Sequence, residues 1–110
     1  MRIRKETILP DDFQDIDFDL IAEVSDALAH PVRLQLFRYI MQCNKNRENV
    51  CTKDLVENFD YAQATISQHM KKLTKSGLVE IQKDQKFSYF YANLGLLTRY
   101  LKATKLFATR

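Results

Sequence analysis

Apolar residues recur along this chain with two different periods. From Asp17 onward, Leu20, Ile21, Val24, Ala27 and Leu28 fall at i, i+1, i+4, i+7 and i+8, which is one face of a helix. A second helix is expected from Pro31, because a first-turn position does not need the missing N–H. Its expected inward residues are Leu34, Phe37, Ile40 and Met41, and it should stop in the polar run Asn44-Lys-Asn-Arg-Glu-Asn49. A short third helix over residues 52–58 has Leu55 and Val56 to bury. Asp60 stands three residues before Gln63, a capping-box pattern for a fourth helix over 61–76. Gly77 suits the left-handed position that ends it.

After Gly77 the period becomes two. Leu78-Val-Glu-Ile81 and Phe87-Ser-Tyr-Phe-Tyr91 read as two strands of a hairpin around Lys83-Asp-Gln-Lys86. Asn93 is placed to cap a last helix carrying Leu94, Leu97, Tyr100 and Leu101 on one side. Residues 1–14 have no clear period and are expected to be an arm punctuated by Pro10, ahead of a single domain over 15–110. The predicted order is helix-helix-helix-helix-strand-strand-helix, a mainly α fold with one β-hairpin. A short helix, a brief turn and a capped helix make a helix-turn-helix, and the hairpin that follows makes it winged.

The fourth helix raises the question of function. On a wheel of 100° per residue, Ala62, Ile66, His69, Met70 and Leu73 share an apolar arc. The opposite arc centres on Tyr61, Ala64, Gln68, Lys71 and Lys75, flanked by Thr65, Ser67 and Lys72. Its N-terminal half is small and uncharged, and its C-terminal half is basic. A recognition helix offers its N-terminal residues to base edges in the major groove. There, glutamine can pair with adenine and short side chains permit close approach, while lysines further along neutralise phosphates. A helix with solubilising lysines would carry the same residues.

Charge sharpens the picture. Residues 6–26 hold eight acids (Glu6, Asp11, Asp12, Asp15, Asp17, Asp19, Glu23, Asp26) and no base. Residues 61–110 hold nine bases against two acids, Glu80 and Asp84. A basic C-terminal half suits a polyanionic partner, although a solvated surface accounts for the same charges. Apolar residues make up 45% of the chain and charged residues 28%, as in an ordinary folded domain. No apolar run is long enough to span a bilayer, and the first residues, MRIRKETILPDDF, lack the apolar stretch of a secretory signal. Two cysteines, Cys43 and Cys51, do not make a disulfide framework, so a cytoplasmic location is expected.

The segments ALAHPVRLQLFRYI (27–40) and DLVENFDYAQATISQHMKKLTKSGLVE (54–80) resemble the ArsR-type winged helix-turn-helix regulators. The likeness rests on the Ala-Leu helix end before Pro and Arg, the Ser-x-His-Met-x-x-Leu helix, and the Gly-Leu-Val run into a strand. It covers about residues 15–105. It implies a homodimeric DNA-binding repressor that reads an imperfect palindrome in double-stranded DNA. Gln63, Ala64, Thr65, Ser67, Gln68, His69, Lys71 and Lys72 then match the reading helix, and Lys83 and Lys86 match the wing. The first and last helices would form the dimer interface, through Leu20, Ile21, Val24, Leu94, Leu97 and Leu101. Two departures stand out. The wing tip lacks the family's usual glycine, and His30, read as helix-start chemistry, precedes Pro31.

Many members of that family sense metals, and the resemblance carries two site types to this chain. One is a Cys-x-Cys pair just before Asp-Leu. Here Cys51 is present, but the second position is Lys53, whose ammonium has no lone pair for a metal. The other uses acidic and histidine ligands on the last helix, and residues 94–106 contain no Asp, Glu, His or Cys. No metal or other cofactor is therefore expected. Cys43 and Cys51 bracket one loop and are a candidate redox pair, with Lys45 and Lys53 nearby to favour a reactive thiolate. Two unrelated cysteines remain the alternative.

An enzyme is not expected, because there is no phosphate loop, no nucleophile elbow and no plausible acid–base pair. The competing reading is a winged-helix module for protein contact, or for nucleic acid without sequence choice. Apolar residues would then be expected where Lys71, Lys72, Lys75, Lys83 and Lys86 stand.

Overall fold

Asp17 opens the first helix by accepting from the Leu20 N–H at 3.1 Å. The computed structural model describes residues 16–109. Seven elements follow in order: α1 (Phe18–Leu28), α2 (Pro31–Lys45), α3 (Thr52–Asn58), α4 (Gln63–Lys75), β1 (Val79–Asp84), β2 (Phe87–Ala92) and α5 (Leu94–Ala108). This is the predicted order and the predicted mainly helical class. The expected arm over 1–14, with Pro10, lies outside the described residues.

Local chemistry sets most boundaries. His30 is the N-cap of α2: its Nδ1 accepts from the Val32 N–H at 3.1 Å, with Pro31 in the first turn. Asn93 caps α5 by accepting from the Leu96 N–H at 3.1 Å. Gly77 takes φ +88° after α4, a conformation that strains any residue with a Cβ. Its N–H reaches the Thr74 carbonyl at 3.1 Å. The hairpin closes with Asp84 opposite Phe87, leaving Gln85 and Lys86 as the turn. Gln85 adopts φ +58°, so it holds the left-handed position that a glycine would take more easily.

Three expectations are corrected. The capping box of Asp60 and Gln63 does not form. The Tyr61 N–H donates to the Phe59 carbonyl at 2.8 Å, which turns residues 59–61 out of the helix. Helix α4 therefore begins at Gln63 with Ala62 as N-cap and no capping side chain. Second, Leu34 does not point inward but is 50% exposed. The buried stripe of α2 is Val32, Leu36, Phe37, Ile40 and Cys43, about a quarter-turn from the expected face. Third, Asn44 belongs to α2 rather than to the loop.

The core lies where α1 to α4 meet the base of the hairpin. Leu36, Ile40, Leu55, Ile66, Leu73 and Leu78 are fully buried, and Val24, Val50 and Val79 nearly so. Burying each such side chain is worth roughly 1.5–3 kcal/mol in transfer terms. The hairpin is held on the core by hydrogen bonds as well as by packing. The Phe90 N–H donates to the Val50 carbonyl at 2.8 Å. Asn44 donates to the Phe90 carbonyl at 3.3 Å and accepts from the Ala92 N–H at 2.8 Å. Helix α5 instead lies along α1, with Tyr100 and Ser25 hydroxyls 2.9 Å apart and Phe18 edge-on to Phe107 at 6.4 Å.

Candidate nucleic-acid interface

The corner between α3 and α4 is built from the core outward. Leu55 and Ile66 are both fully buried, and Tyr39 packs edge-on to Phe59 at 5.5 Å beneath the turn. Helix α4 buries Ile66, Met70 and Leu73, a spacing of i, i+4, i+7. That orientation leaves Gln63, Ala64, Ser67, Gln68, Lys71, Lys72 and Lys75 exposed on the other side. The exposed surface therefore runs from small uncharged groups at the helix start to three lysines at its end. Thr65 and His69 sit half-buried at its margins, and Tyr61 lies before the helix rather than on it.

The wing stands against this helix. Ile81 and Phe90 share a cleft with Thr52, Ser67, Met70, Lys71 and Thr74. Residues two apart on a strand face the same way, so Lys83 lies on the face that carries Ile81 and buried Val79. Lys83 and Lys86 are exposed. The opposite face carries Phe87 stacked on Tyr89 at 6.1 Å, beside Gln82 and Asp84 on the paired strand. Lys83 thus lies on the face of the hairpin that meets α4, whereas Lys86 sits in the turn.

Two contacts were not legible in the sequence. Lys72 Nζ lies 3.7 Å from Asp26 Oδ2, so one acid of α1 faces the basic helix. Both groups are largely exposed, and such a pair is worth only about 0–1 kcal/mol. The second contact is made by Arg33. Its Nε donates to the Ala27 carbonyl at 2.7 Å, one terminal nitrogen to the Asp26 carbonyl at 3.3 Å, and the other reaches His69 Nδ1 at 3.3 Å. The His30 ring lies 4.6 Å from the His69 ring. Burial, then the neighbouring His30 and Arg33, hold His69 below its ordinary value of 6.5. These partners are far apart in the chain, and only the tertiary fold joins them.

The cysteines do not form a disulfide, and both are free. Cys43 is buried on α2, within reach of Tyr39. Burial, and the bond to Cys43, push the Tyr39 hydroxyl up to about 12. Cys51 stands at the start of α3, where its thiol donates to Asp54 Oδ2 at 3.2 Å and its N–H to the same oxygen at 2.8 Å. Lys53 is turned away toward Glu57, at 4.0 Å. The expected lysine neighbour of a reactive thiolate is therefore replaced by a carboxylate at Cys51. Among the described residues, no three His, Cys, Asp or Glu side chains gather as a metal site would require.

Of the residues expected at a dimer interface, Val24 is corrected: it is 1% exposed and fills the chain's own core. Leu94 and Leu101 are 58% and 55% exposed, and Leu20, Ile21 and Leu97 are half-buried. Phe107 adds a further exposed ring on α5. Among the described residues, no helix is long and apolar enough to cross a membrane.

Comparison with known proteins agrees with this geometry. A family described as helix-turn-helix domain matches residues 28–82, from the end of α1 to the middle of β1. An HTH-type transcriptional regulator of Methanocaldococcus jannaschii is 24% identical over 74 residues, covering 67% of this chain and 79% of that protein. The arsenical resistance operon repressor of Staphylococcus aureus is 38% identical over 48 residues, covering 44% of this chain and 46% of the repressor. Among solved structures, an ArsR-like transcriptional regulator from Rhodococcus has a TM-score of 0.70 at 19% identity, over 80% of this chain and 78% of that one. NolR from Sinorhizobium fredii has a TM-score of 0.62 at 18% identity, over 96% and 99%. At those identities the structures speak for the fold. The winged architecture and the matched family agree: the chain belongs to the helix-turn-helix domain family, and it is similar in fold and in part of its sequence to ArsR-type transcriptional regulators.

Proposed function

We propose that this regulator is a cytoplasmic homodimer that reads an imperfect palindrome in double-stranded DNA and represses transcription there. Gln63, Ala64, Thr65, Ser67 and Gln68 face base edges, with Gln68 the main discriminating group. His69 lies at the margin of that surface, and Lys71 and Lys72 contact phosphates along the groove. Lys83 and Lys86 on the wing add backbone contacts beside it. Residues 1–14 act as an arm to the DNA-binding and dimerisation domain over 15–110.

The observation that carries the reading is the gradient on α4. An exposed helix face that changes from small and uncharged to triply basic matches what a major groove and its flanking phosphates require. The half-buried Leu20 and Ile21 of α1, with the exposed Leu94, Leu101 and Phe107 of α5, supply an apolar surface for the second copy. A single reading helix this small seldom reaches useful specificity alone, which also favours a dimer. The partial repressor matches support the sign of regulation. Lys53 stands where one of the family's metal sites has its second cysteine, and α5 carries none of the acidic or histidine ligands of the other.

The test is selection of duplexes from a random pool by the purified protein, followed by titration of the best duplex at two salt concentrations. A two-fold symmetric consensus, bound with steep salt dependence, is the expected result. Recovery of no enriched sequence would refute the reading.

A further inference from the structure

Both histidines of this chain lie in one cluster, and that cluster touches the helix that reads DNA. Arg33 reaches two elements from its place on α2: α1, at the Ala27 and Asp26 carbonyls of its last turn, and α4, at His69. A guanidinium only donates, so His69 Nδ1 must accept, and the ring must be neutral with its proton on Nε2. Protonating His69 destroys that acceptor and sets an imidazolium against the guanidinium. His30 cannot relieve the conflict, because its own Nδ1 is committed to the Val32 N–H.

The groups that act on the ring are His30 and Arg33, and the carboxylates of the neighbouring elements are placed elsewhere. From α1, the Asp26 carboxylate is engaged by Lys72, and Glu23 lines the neighbouring cleft with Lys72 and Lys75. From α3, Asp54 holds Cys51 and Glu57 pairs with Lys53. From β1, Glu80 and Asp84 are exposed on the wing.

We propose that Arg33 and His69 are positioning residues for DNA reading, fixing α4 against the end of α1 so that loss of the Arg33–His69 contact on protonation lowers discrimination between DNA sequences. This rests on the DNA-reading function proposed above. The direction follows from linkage. The intact contact has the lower His69 pKa, so it is fully favoured above the ordinary imidazole value of 6.5 and is lost as pH falls through the depressed one. Each unit of difference between the two states allows up to about a tenfold loss of discrimination. A simple phosphate contact by His69 has a different signature. Its imidazolium would strengthen binding to every duplex as pH falls and leave discrimination unchanged.

The experiment has two arms. In the first, amide spectra of the free protein are followed from about pH 7.5 to 5.5. The expected result is that amides of α4 and of the end of α1 move with the titration of His69, and stay still in His69→Asn. Asparagine keeps an acceptor near the Nδ1 position and cannot be protonated. In the second, affinities for the selected duplex and for a random duplex of equal length are compared over the same pH range at fixed ionic strength. Wild type should lose discrimination as pH falls. His69→Asn should hold it constant, and Arg33→Ala should lack it at both ends. Discrimination that is flat with pH in the wild type, parallel strengthening on both duplexes, or a pH dependence that survives in His69→Asn would overturn the proposal. If no duplex is ever enriched while the α4 amides still follow His69, the positioning contact stands and the DNA-reading function falls.

Discussion

The side-chain oxygen of Asn44 lies 2.8 Å from the Ala92 nitrogen, and its amide nitrogen lies 3.3 Å from the Phe90 oxygen. One side chain of α2 therefore acts as a strand partner for two residues of β2 and holds the wing at a set distance from the core. Asn44→Ala strips Ala92 N–H and Phe90 C=O of partners in a part-buried place. The expected loss is about 1–3 kcal/mol, read as a lower urea midpoint. Asn44→Asp keeps the acceptor and loses the donor, so it should fall between the two. Equal stability of wild type and Asn44→Ala would show that water replaces the clamp.

Gly77 combines a φ of +88° with a close neighbour. A Cβ there would sit 3.3 Å from Leu96 Cδ2. Gly77→Ala is expected to cost about 1–2 kcal/mol from the left-handed backbone, with some further strain against α5. Thermal unfolding monitored by circular dichroism measures it.

Asp26 holds the ammonium of Lys72 away from any anion. Asp26→Asn removes that competitor and leaves an exposed polar residue, so stability should change by less than about 0.5 kcal/mol. Affinity should rise by up to about fivefold on every duplex, the equivalent of the upper value for an exposed ion pair. Anisotropy titrations on the selected and the random duplex test this, and a gain confined to one of them contradicts it.

Gln68 and Lys72 are expected to fail differently. Gln68→Ala should reorder sequence preference, costing about 1–3 kcal/mol on the preferred base and little on others. Lys72→Ala should weaken all duplexes alike and reduce the salt slope by about 0.9. Repeating the selection with each variant separates the two effects. Equal losses on all DNA for both variants would refute the division of roles.

Leu101 is 55% exposed on α5, so Leu101→Glu should leave the fold of one chain intact. It should turn a dimer into a monomer in sedimentation equilibrium and lower affinity for a two-fold symmetric site far more than for a half-site. An unchanged mass would move the interface elsewhere.

Short-range physics made much of this protein legible in its sequence. The helix period of α1, the paired signals of His30 with Pro31, the cap at Asn93 and the turn at Gly77 act within a few residues, and each element they define is present. The surface of α4 was legible for the same reason. Its apolar stripe at Ile66, Met70 and Leu73 fixes which side is buried, and the polar side follows.

Tertiary structure decided what depends on partners remote in the chain. Leu34 and Leu36 are both apolar, and only packing against the other helices chooses Leu36 for the core. Val24 fits a dimer seam by its spacing, yet the chain's own core takes it. Asp60 had the right spacing for a cap, but the turn at Phe59 and Tyr61 directs the backbone elsewhere. The meeting of Asp26, Arg33, His30, Lys72 and His69 has no local signature at all. Those side chains come together because apolar burial brings α1, α2 and α4 into contact, and their polar groups are then matched at the seam.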